Sequence, residues 1–174
     1  MSLRTMLDGV EHHFESGGKL SNFYALYEAV DTIFYTPGKV TTSASHVRDA
    51  VDLKRIMITV WLCAFFPMFA GMYHTGLQAN LAMDQMGMES LSGWRGWLLE
   101  IAATYDAASV WDCMVYGAVF YIPIYVTTFV VGGFWEVLFA TKRGHEINEG
   151  FFVTSVLFSL TVPASIPLWQ VAVG

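Results

Sequence analysis

Residues 113–135 read CMVYGAVFYIPIYVTTFVVGGFW, a run without one Asp, Glu, Lys or Arg. A helix needs about 20 apolar residues to cross the hydrocarbon core of a bilayer. Two further stretches pass the same test. One is 56–83, IMITVWLCAFFPMFAGMYHTGLQANLAM, densest in apolar residues over Ile56–Tyr73, and the other is 150–174, GFFVTSVLFSLTVPASIPLWQVAVG. In a soluble protein such runs would have to be core helices, and charge-free runs this long read instead as spans. The sequence predicts an all-α polytopic membrane protein. It has three transmembrane helices, about 56–79, 113–140 and 150–172, an outer loop over 80–112, and a cytoplasmic N-terminal segment of short amphipathic helices over 1–55.

Composition agrees. Hydrophobic residues make up 55% of the 174 and charged residues 14%, against about 25% charged in a soluble domain. With 9 Lys+Arg against 15 Asp+Glu, the net charge of −6 removes the electrostatic basis for binding nucleic acid. Cys63 and Cys113 are too few for a disulfide scaffold or a four-thiolate metal site. The first span lies too far from Met1 to be a signal peptide, and Ser2 stands where myristoylation would need glycine.

Lys and Arg near the span ends set the orientation. Lys54 and Arg55 precede the first span, and Lys142 and Arg143 follow the second. The loop between them holds Asp84, Glu89, Glu100 and Asp106 against Arg95 alone. The N-terminus and the turn after the second span are therefore expected on the cytoplasmic side, with the acidic loop and Gly174 on the other. Pro67, Pro123, Pro163 and Pro167 all lie in the spans. The last two are one turn apart, so the third span should be kinked or broken there.

In the N-terminal segment, Leu3, Leu7, Val10 and Phe14 recur at spacings of four, three and four, one face of a short helix. Phe23, Leu26, Tyr27, Val30, Ile33 and Phe34 make a second face, ended by Pro37-Gly38, and a third short helix is expected over His46–Arg55. These faces are too small for a core of their own. They call for another surface, and the segment is not basic enough to favour lipid, so docking on a second polypeptide of a complex is expected. In the outer loop, Trp94, Trp97, Leu98 and Ile101 fall at i, i+3, i+4 and i+7, an interfacial helix with tryptophans at headgroup depth.

Few residues carry chemistry. His12-His13-x-Glu15 lacks the spacing that puts two histidines on one helix face. His74 is a lone histidine, and the cysteines read as small apolar residues. Gly132-Gly133-Phe134-Trp135-Glu136 is more informative. Paired glycines let something approach the backbone closely, either another helix or a flat ligand. Glu136 is an ionisable residue at the end of a span, a functional hypothesis by default; it also has water within reach beside Lys142 and Arg143. Glu149-Gly150-Phe151-Phe152 follows after a short turn. Antiparallel spans would bring the two segments to similar depth, making a pocket with a small floor, aromatic walls and two carboxylates. Such a pocket suits a flat amphipathic ligand such as a quinone.

Longer strings carry a family resemblance. They include Val10-Glu11-His12-His13-Phe14, Ala25-Leu26-Tyr27-Glu28-Ala29, Phe34-Tyr35-Thr36-Pro37-Gly38, Ser45-His46-Val47-Arg48-Asp49 and Val51-Asp52-Leu53-Lys54-Arg55-Ile56-Met57. Gly71-Met72-Tyr73 and Gly76-Leu77-Gln78-Ala79-Asn80 continue the pattern. The most specific runs are Val131-Gly132-Gly133-Phe134-Trp135-Glu136-Val137-Leu138-Phe139-Ala140 and His145-Glu146-Ile147-Asn148-Glu149-Gly150-Phe151-Phe152-Val153-Thr154. From end to end the chain resembles the N-terminal part of the NqrB family, the B subunits of the sodium-translocating NADH:quinone oxidoreductases (Nqr). The homologous D subunits of Rnf complexes generally lack the long N-terminal segment, which favours Nqr.

The resemblance implies a component of a bacterial inner-membrane complex that passes electrons from NADH through flavins and iron–sulfur centres to ubiquinone and pumps sodium outward. It implies that the N-terminal segment contacts the cytoplasmic NqrA protein, with the C, D, E and F subunits of Nqr as further partners. It places quinone and inhibitors around Gly132, Gly133 and Glu136, with Glu149, Gly150, Phe151 and Phe152 beside them, and makes Glu149 or His145 a candidate for proton supply. It also implies FMN joined through phosphate to a threonine in a Ser-Gly-Ala-Thr motif, and riboflavin elsewhere in the complex. Here the chain departs from its family, because no Ser-Gly-Ala-Thr occurs in it. Family members run well past the point matching Gly174, so the chain reads as the front of a longer protein. The rival expectation is a non-enzymatic membrane transport or assembly protein whose glycine pair only packs helices, or an inactive fragment.

Overall fold

The computed structural model describes residues 3–15, 18, 20–35, 53–144, 147 and 150–174. Every regular element among the described residues is helical: α1 (Leu3–Phe14), a 3-10 turn (Ser21–Phe23), α2 (Tyr24–Phe34), α3 (Leu53–Met86), α4 (Trp94–Ala102), α5 (Val110–Arg143), α6 (Gly150–Thr161) and α7 (Leu168–Val173). They form two compact units, residues 1–60 with 132–153, and residues 61–131 with 154–174.

Helices α3 and α5 each run 34 residues, about 50 Å at 1.5 Å per residue, longer than the ~30 Å hydrocarbon core. Only 22% of the most apolar window of each is buried. A core helix of a soluble protein would be mostly buried. Here Leu62, Phe66, Phe69, Val126 and Val130 are exposed, as lipid-facing side chains are. Pro67 and Pro123 lie inside these helices without ending them.

In the second unit, α3 and α5 touch backbone to backbone. A Cβ on Gly76 would run into the carbonyl of Cys113, and one on Gly117 into the carbonyl of Met72. On each helix the glycine and the opposing residue are four positions apart, so the contact is reciprocal and repeats after about one turn. Only a hydrogen atom fits at either glycine. Beside the crossing, α4 tucks in the fully buried Leu99 against Met83 and Tyr116. Trp94, Trp97, Leu98 and Ile101, the face expected from their spacing, are exposed.

The turn from α4 to α5 is tied by Asp112. Its backbone N–H donates to Ser109 Oγ at 3.2 Å, and Ser109 Oγ donates back to Asp112 Oδ1 at 3.2 Å. This reciprocal pair is a variant of the capping box at the start of α5. Asp112 Oδ2 accepts from the Thr104 N–H at 2.9 Å, the Thr104 hydroxyl and the Asp106 N–H at 3.1 Å. The residue between these two donors, Tyr105, has φ 62°. Trp111 Nε1 donates to the Ala102 carbonyl at 3.0 Å, joining the end of α4 to the start of α5.

The third apolar stretch departs from the single span expected over 150–172. Its α6 has 12 residues, about 18 Å, and Pro163 and Pro167 separate it from α7. A straight helix would carry Gly174 about 24 Å beyond Phe158. Instead, a Cβ on Gly174 would lie 3.8 Å from Phe158 Cζ. The chain has turned back on itself at the prolines, and Gly174 returns to the level of Phe158.

In the first unit, α1 and α2 meet through the Phe14 and Tyr27 rings, stacked at 5.3 Å, and through the Tyr27 hydroxyl, which donates to the Leu7 carbonyl at 3.3 Å. Arg4 pairs with Asp8 at 2.8 Å and Asp31 at 3.3 Å. Lys54 at the start of α3 reaches the buried Glu28 of α2 at 3.5 Å. Leu3, Val10, Phe23, Leu26, Val30 and Phe34 remain exposed. The helix expected over His46–Arg55 falls mostly outside the described residues, and only its last three residues are seen, opening α3.

Candidate functional site

The candidate residues lie in the first unit, on the last turns of α5 and the first turn of α6. Two contacts set the register of these antiparallel segments. Near the turn, buried Ala140 packs against buried Ile147, with Val137 beside them. Deeper, the glycine pair meets Phe151. A Cβ on Gly132 would lie 2.6 Å from Phe151 Cε2 and 3.1 Å from its Cζ, closer than side chains tolerate. On Gly133 it would lie 3.6 Å from Phe151 Cε1, ordinary contact. The ring therefore rests on the Gly132–Gly133 backbone, in space that any side chain at 132 would fill.

Glu136 follows Gly132 by four residues and Gly133 by three, so it projects from the same face of α5, about 6 Å further along the axis. It falls between the two contacts and is half-buried. On the same turns Phe134, Trp135 and Phe139 are exposed. Trp135 and Phe139 stack at 6.1 Å, and the Arg143 guanidinium lies 5.5 Å over the Phe139 ring. The segment thus offers a ring-shaped seat and a carboxylate, flanked by exposed aromatic rings and a cation.

The structure brings Gly132, Gly133 and Phe151 together. Phe152 adjoins Phe151 with ring centroids 6.2 Å apart, and Gly150 opens α6. Glu149 and His145 lie outside the described residues. Sequence reasoning misses Ala140, Val137 and Ile147, although 133, 136/137 and 140 trace one helical face and point toward them. It misses Gly76 and Gly117 too, as lone glycines in apolar runs. Ser109-x-x-Asp112 is a legible capping signature that sequence reasoning also passes over. Among the described residues no group of three or more His, Cys, Asp and Glu could hold a metal ion.

The model of the NQR2, RnfD, RnfE family matches residues 40–174. The chain is 60% identical over its whole length to a protein of Pseudomonas paraeruginosa named as the B subunit of Na(+)-translocating NADH-quinone reductase, covering 44% of that protein. It is 62% identical to the protein of that name from Chromohalobacter salexigens, covering 42% of it. The Azotobacter vinelandii protein of the same name is 60% identical, again with 44% covered. The chain spans less than half the length of these relatives.

Proposed function

Because the chain belongs to the NQR2, RnfD, RnfE family, we propose that it serves as the front part of a membrane component of a sodium-translocating NADH:quinone reductase, and that α5 and α6 supply the quinone site. The observation that carries this reading is the glycine seat. Gly132 and Gly133 expose backbone to an aromatic ring, and Glu136 stands one turn away on the same face. A quinone headgroup is a flat ring with polar oxygens. Laid on the glycine backbone, its ring meets no side chain from below. Glu136 then bonds an oxygen or passes it a proton, and Phe151 and Phe152 border the place of the ring or tail. Glu149 and Gly150 belong to the same site in this reading, and Glu149 or His145 brings protons from the cytoplasmic side.

The remaining assignments follow from the same reading. Helices α3 and α5 cross the bacterial inner membrane, with the N-terminus and the Lys142-bearing turn in the cytoplasm. The third apolar stretch enters from that side. The exposed faces of α1 and α2 dock NqrA, and the C, D, E and F subunits of Nqr complete the complex. The chain has no Ser-Gly-Ala-Thr to take FMN, so covalent flavin is assigned to the longer part of such proteins and riboflavin to the complex.

Gly133→Val in the full-length protein, assembled in its complex, tests the site. Its β-branched side chain intrudes where a ligand ring would lie, so the quinone KM rises about tenfold and quinone-site inhibitors weaken by a similar factor. Glu136→Gln lowers kcat with a smaller change in KM. Unchanged KM and inhibition in both variants would remove the site from this segment.

A further inference from the structure

The seat that the glycine pair makes is already filled by a ring of the chain itself. We infer that Phe151 is a self-ligand: its phenyl ring occupies the place of the quinone ring, and quinone enters by displacing it. This inference rests on the quinone site proposed above. The closest approach is between the far edge of the Phe151 ring and Gly132, where a Cβ would stand 2.6 Å from Cε2, with Gly133 in looser contact at 3.6 Å. Two flat rings cannot share that backbone shelf. One must leave, or the incoming ring must stop short of it.

The position of Phe151 permits it to leave. It is the second residue of α6, directly after Gly150. A rotamer change at this end of the helix moves the ring and leaves the backbone hydrogen bonds of α6 in place. Phe152, whose ring centroid is 6.2 Å away, offers an aromatic surface for the displaced ring. The consequence is a built-in competitor. Apparent affinity for quinone is the intrinsic affinity scaled down by the fraction of molecules with an open seat.

The test separates a plug from a wall. Phe151→Leu in the full-length protein, assembled in its complex, removes the competing ring. A short-tailed ubiquinone is the probe, and kcat and KM are read separately, with inhibitor Kd alongside. A plug predicts that KM falls by about fivefold, and that Phe151→Trp raises KM. A wall that packs on bound quinone predicts the reverse for Phe151→Leu. A rise or no change in KM for Phe151→Leu, while Gly133→Val and Glu136→Gln alter kinetics, overturns the plug and leaves the site. No response from any of the variants overturns both. If Phe151→Leu fails to assemble, Phe151→Met keeps much of the side-chain volume without a ring, and the same sign of the KM change decides.

Discussion

Three glycines with different surroundings separate packing from function at the scale of single residues. Gly9, on α1, has nothing within 4 Å of where a Cβ would stand. Gly9→Ala should be neutral or stabilise by up to ~1 kcal/mol through helix propensity. Gly76 faces the backbone of Cys113, which no rotamer change can move. Gly76→Ala forces α3 and α5 apart and should cost ~1–3 kcal/mol or more; thermal unfolding of the purified protein in detergent reads both. Gly132 lies between these cases, because the atom in its way is the end of a movable ring. The sequence shows that a glycine pair admits something flat. It does not show that the first occupant is Phe151, because that depends on the register between α5 and α6, fixed by the distant contact of Ala140 with Ile147.

Local pattern decides the outcome for elements wherever the determining residues are close in sequence. The spacing of Leu3, Leu7, Val10 and Phe14 predicts α1, that of Trp94, Trp97, Leu98 and Ile101 predicts α4, and Pro163 with Pro167 predicts the break after α6. The reversal of α7 beyond that break is not legible, since it turns on Gly174 meeting Phe158. The α4–α5 turn depends on one side chain. Asp112, 5% exposed, accepts four hydrogen bonds from Thr104, Asp106 and Ser109. Those to Thr104 and Asp106 hold Tyr105 in the left-handed region, which a bulky residue adopts only when its surroundings impose it. Asp112→Ala should release the turn at a cost of ~1–3 kcal/mol. Protection of the Thr104 and Asp106 amides from hydrogen exchange should fall with it, and unchanged protection would mean that other contacts hold the turn.

For the whole molecule, the membrane reading rests on two long helices that expose most of their apolar surface, which water would not tolerate. Its orientation is testable. In whole cells, a cysteine placed by Ser92→Cys should react with an impermeant maleimide from outside, and one placed by Lys142→Cys only after the membrane is opened; the opposite pattern would invert the topology. The hairpin of α3 and α5 has a further consequence, for the order in which the chain matures. Its turn is closed by bonds spanning six to eight residues, and its crossing joins Gly76 to Cys113 and Met72 to Gly117. All of these partners are translated before α6. The hairpin can therefore lock during synthesis as one insertion unit, with the loop-closure entropy of its crossing reduced by the ordered turn. The glycine seat waits for α6, the last element of the site to be translated.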